Sequence, residues 1–591
     1  MPTPTAQATS HTKGETRAHT RWSLRSSEPV TAGPLIERVL SARGLDDPAQ
    51  REAMLNCSLL GLHSPEHLPD ADVACKRILD ALAGRETIAI YGDYDVDGIT
   101  ATATLYHTIK TLDPNADVIT YVPHRLDEGY GLNDAAIREL AEDKGAAVVI
   151  SVDCGITAVG PAKTARELGV DLIITDHHNP ASDGSMPEPF ALVHPRAPGS
   201  AYPFHELCGA GVAYKLAWRL AVLHADRPDG KASEPVRRLL LDLLAFTALG
   251  SIADVVPLVD ENRVLTRFGM GRIKHSPFEG LRALVEASGL DSDKIDTDAV
   301  GFRLAPRLNA CGRMGHAADA VELFTTATGE RAHELAAQLA RQNTERQSTE
   351  RRIVEQAAQM AQDSGMTEPG TRAIVLRHAD WHPGVVGIVC SRLVERFARP
   401  TLLLCDDGET AKGSGRSITG FNLHAGLDAC AAHLTKYGGH DAAAGMALDS
   451  KNFDAFSQAF IEHANGQLAD DDLVTHVKAD CVADPSELTP DAVNQLDELR
   501  PFGRGNPKVR LAIHGATIDR DATPFGAQAK HLGVHIKGET GGALRCIAWN
   551  RGDDVPQMKR GRRIDLVITP QLSSWSGAVE PVIEDWRPAD A

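Results

Sequence analysis

The chain has 591 residues, too many for one hydrophobic core, and ordinary domain sizes divide it into roughly three or four. Hydrophobic residues at 42% and charged residues at 24% are the proportions of a folded globular protein, which excludes a largely disordered chain. The formal net charge of -19 argues at first sight against a nucleic-acid partner, but salt screens such charge beyond about 8–10 Å, so a local basic groove matters more.

Residues 1 to about 30 are rich in Ser, Thr and Pro and lack a hydrophobic segment. They predict a disordered tail, with neither a secretory signal nor an amphipathic transit helix. Between residues 75 and 180, strand-like runs at Thr87–Tyr91, Val118–Val122, Ala146–Val152 and Asp171–Thr175 alternate with helical patterns. Two of those helices are expected at Ala135–Glu142 and Pro161–Leu168, and the alternation predicts an α/β fold with a parallel sheet covered on both faces. The longest apolar run, Leu239–Leu249, is short and carries Asp242, so it reads as a core helix and no membrane span is expected. The helical region extends to about residue 325, with an interruption at 251–256. Glu330–Gln362 reads as one long helix whose middle, Arg341–Arg352, has no apolar residue, as in a helix that bridges domains. Residues 370–465 form a second α/β unit, and short strands with turn signals after about residue 475 predict a small β-barrel. The ten cysteines are scattered with no Cys-x-x-Cys pair, which argues against a zinc knuckle or a disulfide framework and fits a reducing cytoplasm.

All four predicted strands of the first unit end in polar clusters. They are Asp93-Tyr-Asp95-Val-Asp97-Gly98, Pro123-His124-Arg125, Asp153-Cys-Gly155 and Asp176-His177-His178. The carboxyl edge of an open parallel sheet is where ligands bind. The first cluster begins like a calcium loop, but its twelfth position from Asp93 is Thr104, where that loop needs a bidentate Glu, and a strand leads into it. Three alternating acids on their own also fit an ordinary solvated turn, so the other strand ends carry the argument.

Asp95, Asp97, Asp153 and His177 would together supply oxygen and imidazole ligands without sulfur, which favours Mg²⁺ or Mn²⁺ over structural zinc. Asp254 is a candidate fifth ligand. Carboxylates this close repel one another unless cations lie between them. Two ions roughly 3.5–4 Å apart activate water and clamp both oxygens of an in-line phosphoryl displacement, which is hydrolysis of a phosphate ester or anhydride. His178 would donate to the leaving oxygen or contact the phosphate. Basic residues beside glycines support a phosphate-rich substrate: Arg125, then Arg307, Asn309 and Arg313 within Pro306–Gly315, then Ser414 and Arg416 within Gly413–Ser417, and His440 after Gly438-Gly439.

Gly92–Gly98, Val152-Asp-Cys-Gly155 and Asp176-His-His178, in this order and spacing, resemble the DHH phosphoesterase superfamily. Phe502-Gly-Arg-Gly-Asn-Pro507, Ala305–Gly315 and His382-Pro-Gly-Val-Val-Gly387 narrow the resemblance to the bacterial RecJ family of single-strand exonucleases, from about residue 75 onward. The resemblance implies 5′-to-3′ hydrolysis of single-stranded DNA to mononucleotides in repair and recombination, in the cytoplasm, with two Mn²⁺ or Mg²⁺ ions and no organic cofactor. After the disordered tail expected at 1–30, it implies a DHH catalytic domain with a helical N-terminal part at 31–328 and a connecting helix at 329–365. A DHHA1 domain at 366–470 and an OB-like barrel at 471–591 follow. Asp95, Asp97, Asp153, His177 and Asp254 would hold the metal, with Asp93, Asp176 and His178 supporting catalysis. His124, Arg125, Ser414 and Arg416 would lie near phosphate, and Arg307, Asn309, Arg313 and His440 along the strand. A single-strand-binding protein and a helicase are implied partners. A DHH phosphodiesterase for short oligonucleotides or cyclic dinucleotides, a pyrophosphatase, and a non-catalytic single-strand-binding relative are the rival readings.

Overall fold

The computed structural model describes residues 19–28, 30–124, 128–129, 131–181, 183–290, 295–314 and 316–589. They form two compact units. One gathers the strand β1, His19–Leu24, with residues 345–478; the other gathers the described residues of 25–344 and 479–591.

In the second of these units β2 (Thr87–Gly92), β3 (Val118–Tyr121), β4 (Ala146–Val152), β5 (Asp171–Thr175) and β6 (Ala191–Val193) form a parallel sheet in the order β3-β2-β4-β5-β6. Alternate residues face opposite layers. Ile88, Ile90, Val148, Ile150 and Ile173 pack into one core with the helices Val96–Leu112, Gly209–Ala225 and Glu234–Ala253. Ala89, Tyr91, Val149, Leu172 and Ile174 pack into another on the opposite face. The helix expected at Ala135–Glu142 is α-helical at Asp134–Arg138 and widens into a π turn at Glu139–Asp143. Pairing Gly92↔Val152, Val152↔Thr175 and Thr175↔Val193 aligns the strand ends. The next residues, Asp93, Asp153, Asp176 and His194, therefore emerge side by side.

Leu239–Leu249 lies inside helix Glu234–Ala253, which ends within the expected interruption at 251–256, just before Asp254. Among the described residues no helix is long and apolar enough to cross a membrane. The long helix spans Gly329–Asp363, and the division between the two units falls inside its polar stretch, between Thr344 and Glu345.

The unit containing residues 345–478 has a sheet ordered β10-β11-β9-β8-β7, from β7 (Ile374–His378), β8 (Thr401–Asp406), β9 (Thr410–Arg416), β10 (Lys436–Gly439) and β11 (Ala443–Asp449). Only β7 and β8 are parallel. The segment expected to be a disordered tail carries β1, which pairs with β12 (Val474–Ala479).

The C-terminal strands are β13 (Cys481–Val482), β14 (Leu511–Phe525), β15 (His531–Lys537), β16 (Ala543–Ala548), β17 (Arg563–Thr569) and β18 (Val582–Pro588). The first half of β14 pairs with β17 and the second with β15, closing a barrel. Bulges around Arg520 allow one strand to bend between two partners. One boundary differs from expectation. The helix Leu35–Ala42 inserts Leu35, Val39 and Leu40 into the barrel core, and Arg43 donates to the buried Asp480 at 3.0 Å. It belongs with the barrel because its apolar stripe has its partners there. Phe502 and Trp586 are barrel core, whereas Trp549 and Trp575 are exposed.

Candidate active site

The acidic loop after β2 is a helix cap. Asp95 Oδ1 accepts the N–H groups of Asp97 and Gly98 at 2.9 and 3.2 Å and so starts the helix Val96–Leu112. A side chain at Gly98 would sit 2.5 Å from the Asp93 carbonyl oxygen, so only glycine lets the loop fold back on the helix. Asp97 is buried and accepts the Gly209 and Ala210 N–H groups at 2.6 and 2.8 Å, at the start of helix Gly209–Ala225. Burial and the neighbouring Asp95 nevertheless hold its carboxyl above the ordinary range.

Asp153, also buried, leaves β4 with φ +61, a left-handed conformation uncommon outside glycine. Gly209 makes room for it: a Cβ there would meet Asp153 Oδ1 at 2.6 Å. Asp176 spends its oxygens on the loop itself. Its Oδ1 accepts from His177 N, His178 N and His178 Nδ1 at 2.7, 3.1 and 2.8 Å, and Oδ2 accepts from Ile156 N at 2.9 Å. Burial opposes its charge, but these donors and His178 hold its carboxyl below the ordinary range. Burial likewise opposes the charged form of His178, and Asp176 outweighs it, raising the imidazole to about 9.

His177 Nε2 points into the acids. It lies 3.1 Å from Asp153 Oδ1, 3.6 Å from Asp254 Oδ2 and 3.8 Å from Asp97 Oδ2. Burial and the neighbouring His178 lower its basicity. Neither His177 Nε2 nor Asp153 Oδ1 has a hydrogen-bond partner. Two buried polar atoms 3.1 Å apart, neither of them hydrogen-bonded, fit a shared cation. Ligand atoms converge within 4.8 Å in three overlapping groups: Asp93/Asp95/Asp153, Asp97/His177/Asp254 and Asp153/His177/His178. This oxygen-and-imidazole set suits Mn²⁺ or Mg²⁺, and Asp153 belongs to two of the groups, as a bridge between two ions would.

Several supporting residues escaped the sequence reading. His194 follows β6 and carries its proton on Nε2, because Nδ1 accepts from Arg196 N at 2.9 Å; Nε2 then donates to the His178 carbonyl at 2.9 Å. The strand-end rule applied to Ala191–Val193 would have found it, but three residues are too short a run to recognise. Gly209 and Gly250 had no sequence signal; a Cβ at Gly250 would meet Asp97 Oδ1 at 2.4 Å.

The other expected residues divide by location. Arg125 lies outside the described residues. His124 donates its N–H to Glu128 at 2.6 Å and packs its ring 5.3 Å from that of His316. Arg307, Asn309 and Arg313 stand on the helix Ala305–Met314, within the region expected to be helical. There Gly312 provides close packing against Tyr94, not loop freedom. Asn309 Oδ1 accepts the Val96 N–H at 3.2 Å, which supports the acidic loop. Ser414 and Arg416 lie on β9, in the other unit. Gly387 of the helix Pro383–Phe397 passes there, where a Cβ would lie 3.4 Å from Ser414 Oγ and 3.5 Å from an Arg416 guanidinium nitrogen. His440 closes the β10–β11 turn through its N–H to Ala443 O at 2.8 Å, and Ala443 pairs with Arg416.

Asp176→Asn is expected to lower hydrolysis by about 10- to 100-fold, the cost of removing an orienting partner of a ligand. His178 contributes stability that is fully present below pH 6.5 and lost as pH rises through about 9. In the variant this loss moves down toward 6.5, which thermal unfolding followed against pH would detect.

Comparison with known proteins identifies three domains along the chain. Residues 87–247 match the DHH family N-terminal domain, 370–466 the DHHA1 domain and 479–584 the RecJ OB domain. The chain is 38% identical over 557 residues to the single-stranded-DNA-specific exonuclease RecJ of Bacillus subtilis, covering 94% of this chain and 68% of that one. It is 32% identical to the Escherichia coli protein of the same name, covering 87% and 89%. A crystal structure of Thermus thermophilus RecJ in complex with Mn²⁺ superposes with a TM-score of 0.78 and 30% identity, covering 97% of this chain and 80% of that one. An Mg²⁺ complex of that protein superposes at 0.72 with 28% identity, covering 97% and 79%. With all three domains in order and relatives aligned over most of both chains, the chain belongs to the RecJ family of single-stranded-DNA-specific exonucleases.

Proposed function

We propose that the protein hydrolyses single-stranded DNA from its 5′ end to 5′-mononucleotides, using Mn²⁺ or Mg²⁺ held by the buried acids and His177. The observation that carries this reading is the pairing of His177 Nε2 with Asp153 Oδ1 at 3.1 Å, both without hydrogen-bond partners, between Asp97 and Asp254. Asp93, Asp95, Asp97, Asp153, His177 and Asp254 would hold the ions, which supply activated water and charge neutralisation at the scissile phosphate. Asp176 keeps His177 and His178 in place. His178 is charged at neutral pH with Nδ1 engaged by Asp176, so its Nε2 carries a proton to offer the leaving oxygen. On the barrel, half-exposed Trp549 sits beside His531 and Phe525, with ring centroids 4.8 and 5.8 Å away, and offers a base-stacking surface. Repair and recombination are the setting, with a helicase and a single-strand-binding protein supplying the strand. The ten free cysteines suit a reducing cytoplasm.

The decisive assay is purified protein with Mn²⁺ or Mg²⁺ on end-labelled single- and double-stranded DNA. Mononucleotides released from the 5′ end of single strands are expected; cleavage confined to dinucleotides would overturn the reading. Arg416 and Ser414 would hold the 5′ phosphate. Arg416→Ala is therefore expected to weaken the preference for a 5′-phosphorylated end by about tenfold, the worth of a single charge-assisted contact. Equal losses on 5′-phosphate and 5′-hydroxyl substrates would remove Arg416 from that role.

A further inference from the structure

The segment that follows helix Glu234–Ala253 carries Asp254 and then turns sharply at Val255, a β-branched residue with φ +59. Such a residue holds left-handed backbone only where its surroundings impose it. Those surroundings come from the barrel. Leu258 donates its N–H to Arg504 O at 2.7 Å. Gly503 lies against the same residue, where a Cβ would meet Leu258 Cδ1 at 2.7 Å. Gly505, at φ +76, lies against Pro257 and Val259, where a Cβ would meet side-chain carbons at 3.1 and 3.2 Å.

The barrel loop is itself held rigid. Gly503 and Asn506 exchange backbone hydrogen bonds at 2.8 and 3.2 Å. Asn506 Nδ2 donates to Leu499 O and Pro501 O at 2.7 and 2.8 Å, while its Oδ1 accepts from Arg43, whose guanidinium also grips Asp480. Just beyond the turn, buried Arg263 donates to Leu499 O at 2.8 Å.

We propose that the barrel loop Phe502–Pro507 is a positioning element for the catalytic centre: it clamps residues 257–259, imposes the turn at Val255, and so aims the Asp254 carboxylate at His177. The proposal rests on the reading of Asp254 as a metal-holding residue. It assigns the barrel a part in forming the metal site as well as in contacting DNA. At Gly505 any side chain is strained in left-handed backbone and pushes on Pro257 and Val259, so the disturbance reaches Asp254 through the chain.

The test uses full-length protein and direct titration of Mn²⁺ by electron paramagnetic resonance, with no DNA present. Gly505→Val is compared with wild type and with Asp254→Ala. The expected result is that Gly505→Val weakens Mn²⁺ binding by about tenfold, the scale of losing a ligand's support. The Mn²⁺ concentration for half-maximal hydrolysis should rise in parallel, while single-strand binding in EDTA stays unchanged. Wild-type Mn²⁺ affinity in folded Gly505→Val, with Asp254→Ala impaired, overturns the clamp and leaves the ligand reading standing. Wild-type Mn²⁺ affinity in Asp254→Ala overturns the ligand reading and the clamp with it. Should Gly505→Val fail to fold, Gly505→Ala decides by the same criteria.

Discussion

Asp153→Asn is expected to reduce hydrolysis by at least ~10³-fold, about 4 kcal/mol of barrier, with single-strand binding retained. Asp153 belongs to two of the three ligand groups, so its loss disturbs both candidate ion positions at once. The same substitution should stabilise the metal-free protein. Burial raises the carboxyls of Asp97, Asp153 and Asp254, and their mutual repulsion raises them further. Groups raised in this way contribute stability that is complete below the unfolded value of 3.8 and is lost as pH rises above it. Metal-free protein should therefore lose this contribution toward neutral pH and recover stability when Mn²⁺ binds the folded state. Thermal unfolding with Mn²⁺ and with EDTA, across pH, gives the check. Unchanged hydrolysis in Asp153→Asn would remove the site assignment.

Glu261→Ala is expected to destabilise the protein by roughly 3–5 kcal/mol, the cost of stranding one partner of a buried ion pair. Glu261 and Lys215 are both fully buried and paired. Glu261 also accepts from Tyr202 Oη at 2.6 Å and from the His63 N–H at 2.7 Å, while Lys215 donates to His63 O at 2.7 Å. Burial depresses the Lys215 ammonium, and Glu261, by charge and hydrogen bond, opposes it together with the charge of Asp260. Denaturant unfolding should show the lowered midpoint. Replacing both partners with apolar residues, Lys215→Met with Glu261→Leu, should recover most of the loss. Lys215 belongs to the helix whose first N–H groups hold Asp97, so the single variant should also weaken Mn²⁺ binding as the helix loosens.

Much of the site was legible because its signals are local. Thr87–Tyr91, Ala146–Val152 and Asp171–Thr175 are apolar runs of strand length, and each is followed within two residues by an acid. In a parallel sheet every such acid reaches the same edge. Chemistry followed from composition at that edge, since oxygen and imidazole donors without sulfur select a hard or borderline cation. The glycine-bearing basic segments read less well. Ala305–Met314 lies in the stretch read as helical, but its glycines beside Arg and Asn suggest backbone open to phosphate, whereas Gly312 packs against Tyr94. Propensity is a weak prior against such tertiary contact.

By itself the sequence determined the strand ends Asp93–Asp97, Asp153 and Asp176–His178, the bridging helix and the three-domain order, because these depend on neighbours within a few residues. Only the tertiary structure decided what surrounds them. Asp97 is held by N–H groups at Gly209 and Ala210, more than a hundred positions away, and Asp254 enters the site through a turn that residues 503–505 of the barrel support. The helix Leu35–Ala42 likewise found its core in the barrel. Those pairings rest on register and close packing between distant segments, where a missing Cβ or one backbone N–H decides the fit, and no local pattern encodes which distant segment will supply it.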